Sequence, residues 1–135
     1  MKDELTEVAV ADVLGTKWIG RSYQSLERAG STNDLLKKRA AGGDAIRPPS
    51  GAVLLTDYQE AGRGRFDRSW EAPPFTSLLF SIIFRPNWEA TQLPWLTMLA
   101  GLSVAEAVEK KTELPTFLKW PNDVVLNHND SWAKV

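Results

Sequence analysis

The 135-residue chain contains no cysteine, which excludes a disulfide frame, a thiolate nucleophile and any Cys-ligated zinc or iron-sulfur site. It has a single histidine, His128, in a polar tip, so a histidine-based triad or metal cluster has little support and no protein-held metal is expected. Charge of one sign is also lacking. Sixteen Lys and Arg stand against 17 Asp and Glu for a net charge of -1, which removes the broad cationic field of non-specific nucleic-acid binders and requires any anion site to be local. No apolar run approaches the roughly 20 residues that span a bilayer, and the acidic opening MKDEL is unlike a signal peptide. A soluble, cytoplasmic protein without membrane attachment is the expectation. What is present is ordinary for a folded protein: 43% hydrophobic and 24% charged residues, in a length that suits one compact domain and not two.

Periodicity predicts alternating helices and strands, with no internal repeat. Leu5 to Leu14 has helical spacing but many valines, and Ser22 to Ala29 reads as a short strand closed by Gly30. Ser31, Thr32 and Asn33 are good N-cap types before a helix at about 33 to 41, stopped by Gly42-Gly43. Pro48-Pro49 forces an extended connection before a buried strand, Ala52 to Tyr58. A long polar loop, Gln59 to Thr76, follows; loops of that length are usually functional or mobile. Ser77 to Phe84 (SLLFSIIF) is the most apolar strand and is expected at the centre of a sheet. Leu93 to Lys111 reads as a helix whose apolar stripe is Leu96, Leu99, Ala100, Ser103, Val104, Ala107 and Val108. Thr116 to Trp120 and Asp123 to Leu126 are strands around a Pro121-Asn122 turn, followed by a polar tip, Asn127 to Ser131. The sum is α/β or α+β, with a mixed β-sheet flanked by helices.

The strongest local signal is Gly62-Arg63-Gly64-Arg65-Phe66-Asp67-Arg68-Ser69-Trp70. Three guanidiniums within six residues, on a backbone loosened by two glycines, make an anion cradle. The same residues also fit a solvated turn whose arginines pair with Glu60, Asp67 and Glu71. Trp70 could stack on a planar ring or plug the loop into the core. The dinucleotide fingerprint fails here, because Asp67 stands where its third glycine belongs. The near phosphate-loop Gly15 to Ser22 fails because Arg21 replaces the lysine. Lys119-Trp120-Pro121-Asn122-Asp123 lies at a strand terminus, suited either to ligand contact or to a plain β-turn.

Taken in order, Ser31-Thr32-Asn33, Gln59-Glu60-Ala61-Gly62-Arg63-Gly64-Arg65, Arg68-Ser69-Trp70 and Lys119-Trp120-Pro121-Asn122-Asp123 resemble the catalytic core of biotin protein ligases. The resemblance runs from about Ser22 to Val135 and implies a catalytic domain like those of class II synthetases and biotin and lipoate ligases. It implies biotin activation by ATP to biotinyl-5'-AMP and transfer to a lysine of a biotin carrier protein, such as the acetyl-CoA carboxylase subunit. ATP and Mg2+ would be co-substrate and ion. By the resemblance, Ser31, Thr32, Asn33, Gln59 and Gly62 bind biotin, with Ser31, Thr32, Asn33 and Gln59 on its ureido head. Arg63 and Arg65 face the carboxylate and α-phosphate. Arg65, Arg68, Trp70, Asn122 and Asp123 serve the nucleotide, with Trp70 stacking on adenine, and Lys134 contacts the activated carboxylate.

The resemblance also carries departures. Asp67 stands where the family usually has glycine, adding a charge and a β-carbon to the phosphate loop. Residues 1–135 are expected to form a partial catalytic domain, incomplete at the C-terminus, lacking the small C-terminal domain and any N-terminal helix-turn-helix, hence with no DNA binding. An unpaired sheet edge would make the chain poorly stable or drive it to a homodimer. The other readings are a non-catalytic fragment binding biotin or nucleotide, and a lipoate-type ligase.

Overall fold

A computed structural model describes residues 5–43, 46–64, 66, 68–129 and 131–135. The chain divides into two compact units, Met1–Arg85 and Pro86–Val135, each a mixture of helix and strand.

In the first unit, helix α1, Glu7–Val13, starts at Thr6, whose hydroxyl accepts the Ala9 N–H, and buries none of its residues. It is tied down by Tyr23, whose hydroxyl donates to the Leu5 carbonyl at 2.8 Å. Burial pushes the Tyr23 phenol above its usual range, and the carboxylates of Glu7 and Asp57 add to the shift. Strand β1, Tyr23–Ala29, is followed by helix α2, Thr32–Lys38, and strand β2, Val53–Gln59. β1 and β2 are parallel, from Tyr23 opposite Val53 to Ala29 opposite Gln59, as a helical crossover between neighbouring strands requires. α2 begins one residue before the expected 33 because Ser31 takes the N-cap. It gives way at Arg39–Gly43 to a single π-type turn, within which Gly42 adopts φ 99°.

β2 is the centre of this sheet. β3, Leu79–Ile82, lies antiparallel on its other side, giving the order β1-β2-β3. This corrects the expectation that the SLLFSIIF strand is central. β2 receives a partner on each side, one from the crossover and one from the returning loop, and buries Leu54, Leu55 and Thr56; β3 sits at an edge with Phe80 44% exposed. Gly51 (φ 86°) supports the start of β2, because a β-carbon there would lie 2.5 Å from the Trp18 ring.

In the second unit, Pro94 opens helix α3, Pro94–Thr112, after a short 3-10 turn, and Glu113 in the left-handed region ends it, with its N–H on the Glu109 carbonyl. Strands β4, Thr116–Lys119, β5, Asp123–His128, and β6, Ser131–Lys134, form an antiparallel sheet in that order. The expected stripe of α3 holds at Leu96, Val104 and Val108, which are half-buried, and fails at its other four positions. Leu99, Ala100, Ser103 and Ala107 are exposed, while Gly101, Val104, Ala105 and Val108 turn inward. The small Gly101 decides this: a β-carbon on it would sit 3.4 Å from Leu118 of β4, so that side of the helix approaches the sheet. The expected polar tip is also shorter than 127–131. Asn127 pairs with Trp132 and His128 with Ser131, and Trp132 packs edge-to-face on Phe117 at 5.3 Å. The mixed sheet expected from the sequence is the β1-β2-β3 sheet, and the β4-β5-β6 sheet is purely antiparallel.

Candidate functional site

Ligand groups in open α/β sheets gather at the carboxyl ends of parallel strands, where side chains are carried on turns and not locked into the ladder. Here those ends are Ala29 and Gln59. The ladder runs on into the loops through Glu60 N–H to the Ala29 carbonyl (2.9 Å) and Ala61 N–H to the Gly30 carbonyl (2.8 Å). The turn after β1 buries two polar residues in succession, Ser31 and Thr32. Ser31 accepts the Asp34 N–H as N-cap. Thr32, 3% exposed, donates its backbone N–H to Gln59 Oε1 at 2.8 Å, and its hydroxyl lies 3.1 Å from the same oxygen and 2.9 Å from Ser81 Oγ. Three polar side chains from a helix start, a strand end and the edge strand thus meet in one cluster. Asn33, expected with them, is exposed.

The loop after Gln59 turns back on itself. Trp70 N–H donates to the Gly62 carbonyl (2.8 Å), Gly64 N–H to the Arg68 carbonyl (2.7 Å), and Arg63 bridges Ser69. Gly62 is obligatory in this arrangement: a β-carbon would stand 2.3 Å from the Trp70 carbonyl oxygen and 3.2 Å from Gln59 Nε2. The loop is therefore built against the amide of Gln59. Arg63 Nε lies 2.8 Å from Asp34 Oδ2, in the first turn of α2. This is not the pairing expected for a solvated turn, since Glu60 instead faces Arg28 at 3.6 Å. The side chains of Arg68 and Trp70 stand on the exposed side. Arg65 and Asp67, both singled out in the sequence, lie outside the described residues.

In the second unit, Lys119 and Asp123 face each other across the turn that joins β4 to β5. Lys134, on β6 opposite Val125, places Nζ 2.7 Å from Asp123 Oδ1, and Asn122 Nδ2 lies 3.4 Å from the same oxygen. Asp123 therefore collects both Asn122 and Lys134. Beside them, Thr97, Met98 and Gly101 of α3 and residues 118–123 line a cavity of about 170 Å3. An apolar floor with a charged rim suits a flat ring carrying anionic groups.

Two members of these clusters escaped the sequence reading. Asp34 was legible as the fourth residue of a Ser-x-x-Asp capping pattern, but nothing local ties it to Arg63. Ser81 carried a clearer signal, as the one hydroxyl inside an apolar strand.

A mixed α/β unit with a hydrogen-bonding cluster at parallel strand ends, next to an arginine loop, is an arrangement that can hold a small polar acid. A family model for the biotin/lipoate A/B protein ligases matches residues 25–130, and the chain belongs to that family. Within it, the chain is 36% identical over 133 residues to a biotin-[acetyl-CoA-carboxylase] ligase of Mycobacterium tuberculosis, covering 93% of this chain and 48% of that protein. It is 37% identical over 79 residues to the bifunctional ligase/repressor BirA of Bacillus subtilis, covering 58% of this chain and 24% of that one. Among solved structures, the biotin protein ligase of Aquifex aeolicus in complex with biotin and ATP superposes with a TM-score of 0.64 at 37% identity, over 77% of this chain and 41% of that one. The chain thus spans less than half the length of these relatives.

Proposed function

We propose that this chain carries the biotin- and adenylate-handling machinery of a biotin protein ligase. The observation that supports this reading best is the cluster of Thr32, Gln59 and Ser81 abutting Gly62 and the arginine loop. Biotin ends in a neutral ureido head that needs both donors and acceptors in a dry pocket, and a buried cluster of hydroxyl and amide groups supplies both. The relatives above are biotin ligases, which favours biotin over lipoate.

In the proposed reaction, a carboxylate oxygen of biotin attacks the α-phosphorus of ATP. A P–O bond forms, the bond from the α-phosphorus to the bridging oxygen breaks, and pyrophosphate leaves. The amine of a carrier lysine then attacks the acyl carbon, loses a proton and expels AMP. No protein nucleophile is required. The obstacle is repulsion between two anions, which Arg63 and Arg65 would offset at the carboxylate and α-phosphate. Arg63 must exchange Asp34 for substrate as it does so. Trp70 and Arg68, on the open side of the loop, would cover the nucleotide and keep water from the mixed anhydride. Asn122 and Asp123 would bear on the nucleotide beside the apolar cavity, and Asp123 holds Lys134 ready for the activated carboxylate. Among the described residues no group of three or more Asp, Glu or His could hold a metal. Mg2+ would arrive on the nucleotide phosphates, and no step is routed through it. The carrier would be the biotin-accepting domain of a carboxylase.

Incubation with biotin, ATP, Mg2+ and a carrier domain tests the reading. Pyrophosphate release with labelled carrier is expected. Biotin binding without turnover would reduce the chain to a recognition fragment, and no binding at all would remove the proposal.

A further inference from the structure

Resting on that reading, we propose that Ser81 is a positioning residue for biotin recognition. Its hydroxyl donates to Thr32 Oγ1, and thereby holds the Thr32 hydroxyl in place and strengthens the bond that hydroxyl donates to Gln59.

The argument is one of counting protons. A backbone N–H can only donate, so the atom of Gln59 that lies 2.8 Å from Thr32 N must be the acceptor, Oε1. Gln59 Nε2 is thereby turned away from Thr32, to the side where Gly62 lies. Oε1 has a second lone pair, and Thr32 Oγ1 is 3.1 Å from it. Thr32 has only one hydroxyl proton, with a second oxygen, Ser81 Oγ, at 2.9 Å. If Thr32 donated to Ser81, the second lone pair of Oε1 would lose its donor. If Ser81 donates instead, every hydrogen bond in the chain Ser81 to Thr32 to Gln59 runs one way, and each strengthens the next. Thr32 is almost fully buried, so the arrangement leaving fewer unmet acceptors prevails.

The placement of Ser81 supports the same conclusion. It lies in an otherwise apolar strand, Leu79–Ile82, two residues from buried Leu79 and so on the same face of β3. It is paired in register with Leu54, one of the two most buried residues of β2. An alanine or valine would serve packing there as well, and the hydroxyl finds its use in Thr32. With the relay set this way, the cluster offers the two N–H groups of Gln59 Nε2, which none of the described residues accepts, and one remaining lone pair on Thr32 Oγ1. That polarity matches a carbonyl flanked by N–H groups, the pattern of a urea. Removing the Ser81 hydroxyl leaves a second lone pair of buried Thr32 Oγ1 unmet, weakens the Thr32 bond to Gln59 and blurs the match without touching the ligand.

The test compares the full chain with Ser81→Ala and Ser81→Thr. It reads the Gln59 side-chain amide signals by nuclear magnetic resonance without ligand, and biotin affinity by calorimetry. Ser81→Ala should shift and broaden the Gln59 amide pair and weaken biotin about 3- to 10-fold, the worth of one ordinary hydrogen bond. Ser81→Thr, which keeps the hydroxyl on a β-branched residue suited to a strand, should restore both. A merely structural serine would change melting temperature alone, leaving the Gln59 signals and biotin affinity as in the parent; that result overturns the proposal. Biotin affinity unchanged in Ser81→Ala, where the parent binds, overturns it equally. A parent that binds no biotin, yet whose Gln59 signals respond to Ser81→Ala, upholds the relay and removes the biotin reading instead.

Discussion

Arg63 finds its counter-ion inside its own chain, in the carboxylate of Asp34 at 2.8 Å. Both side chains are largely open to solvent, at 71% and 42%, so the pair contributes at most about 1 kcal/mol to stability and is screened by salt. Its weakness matters for function, because an anionic substrate must displace Asp34 to reach the guanidinium. Asp34→Asn should leave the melting temperature nearly unchanged and tighten adenylate-analogue binding about 2- to 5-fold at low salt, with the gain shrinking at high salt. Titration calorimetry at two ionic strengths checks this, and a loss of affinity would show that Asp34 helps to bind the ligand. At this scale the sequence was informative about residue type and weak about pairing. Ser31, Thr32 and Gln59 were readable as a group only through their motifs, while the Arg63–Asp34 and Thr32–Ser81 contacts join residues 29 and 49 positions apart. No local pattern encodes such contacts, because the fold itself brings them together.

Elements were more legible than contacts, and their errors share one cause. The cap at Ser31, the span of α3 to within a residue at each end and the strand-turn-strand around Pro121 follow from local chemistry. The position of β3 and the inward side of α3 were misread because apolar content reports burial only when every partner is counted. SLLFSIIF is more apolar than β2 yet lies at the edge, and α3 turns Gly101 and Ala105 inward beside its valines while Leu99 stays exposed. α1 is weakly anchored, since it buries no residue and is held by the Tyr23 hydroxyl on Leu5 and by Glu7, whose carboxylate accepts the Ser25 N–H at 3.3 Å. A phenol whose pKa is raised on folding binds its proton more tightly in the native state. Its contribution is therefore complete below the unfolded value near 10 and disappears as pH rises through the folded value. Far-ultraviolet circular dichroism should show helix loss beginning above about pH 10, and Tyr23→Phe should remove that step while lowering stability at neutral pH. A Tyr23→Phe profile identical to that of the parent would contradict the anchoring role.

At the scale of the whole molecule, each unit presents large apolar side chains to solvent. Leu78 and Phe80 do so in the first, and Trp95, Met98, Trp120 and Trp132 in the second. Large exposed apolar side chains are often covered by protein, and β3 is an edge strand. Sedimentation should therefore show concentration-dependent association of the isolated chain; a stable monomer with a high melting temperature would contradict it. Among the described residues no helix is long and apolar enough to cross a membrane.

The central claim is that the polar cluster at the ends of β1 and β2 recognises the head of biotin, and calorimetric titration of biotin into the parent chain and into Thr32→Val tests it most directly. Valine keeps the shape of threonine and replaces its hydroxyl with a methyl group. The account predicts a saturable heat for the parent and at least about a tenfold loss of affinity in the variant, from an unmade bond in a buried site. Equal affinities, or no heat from the parent, would contradict it.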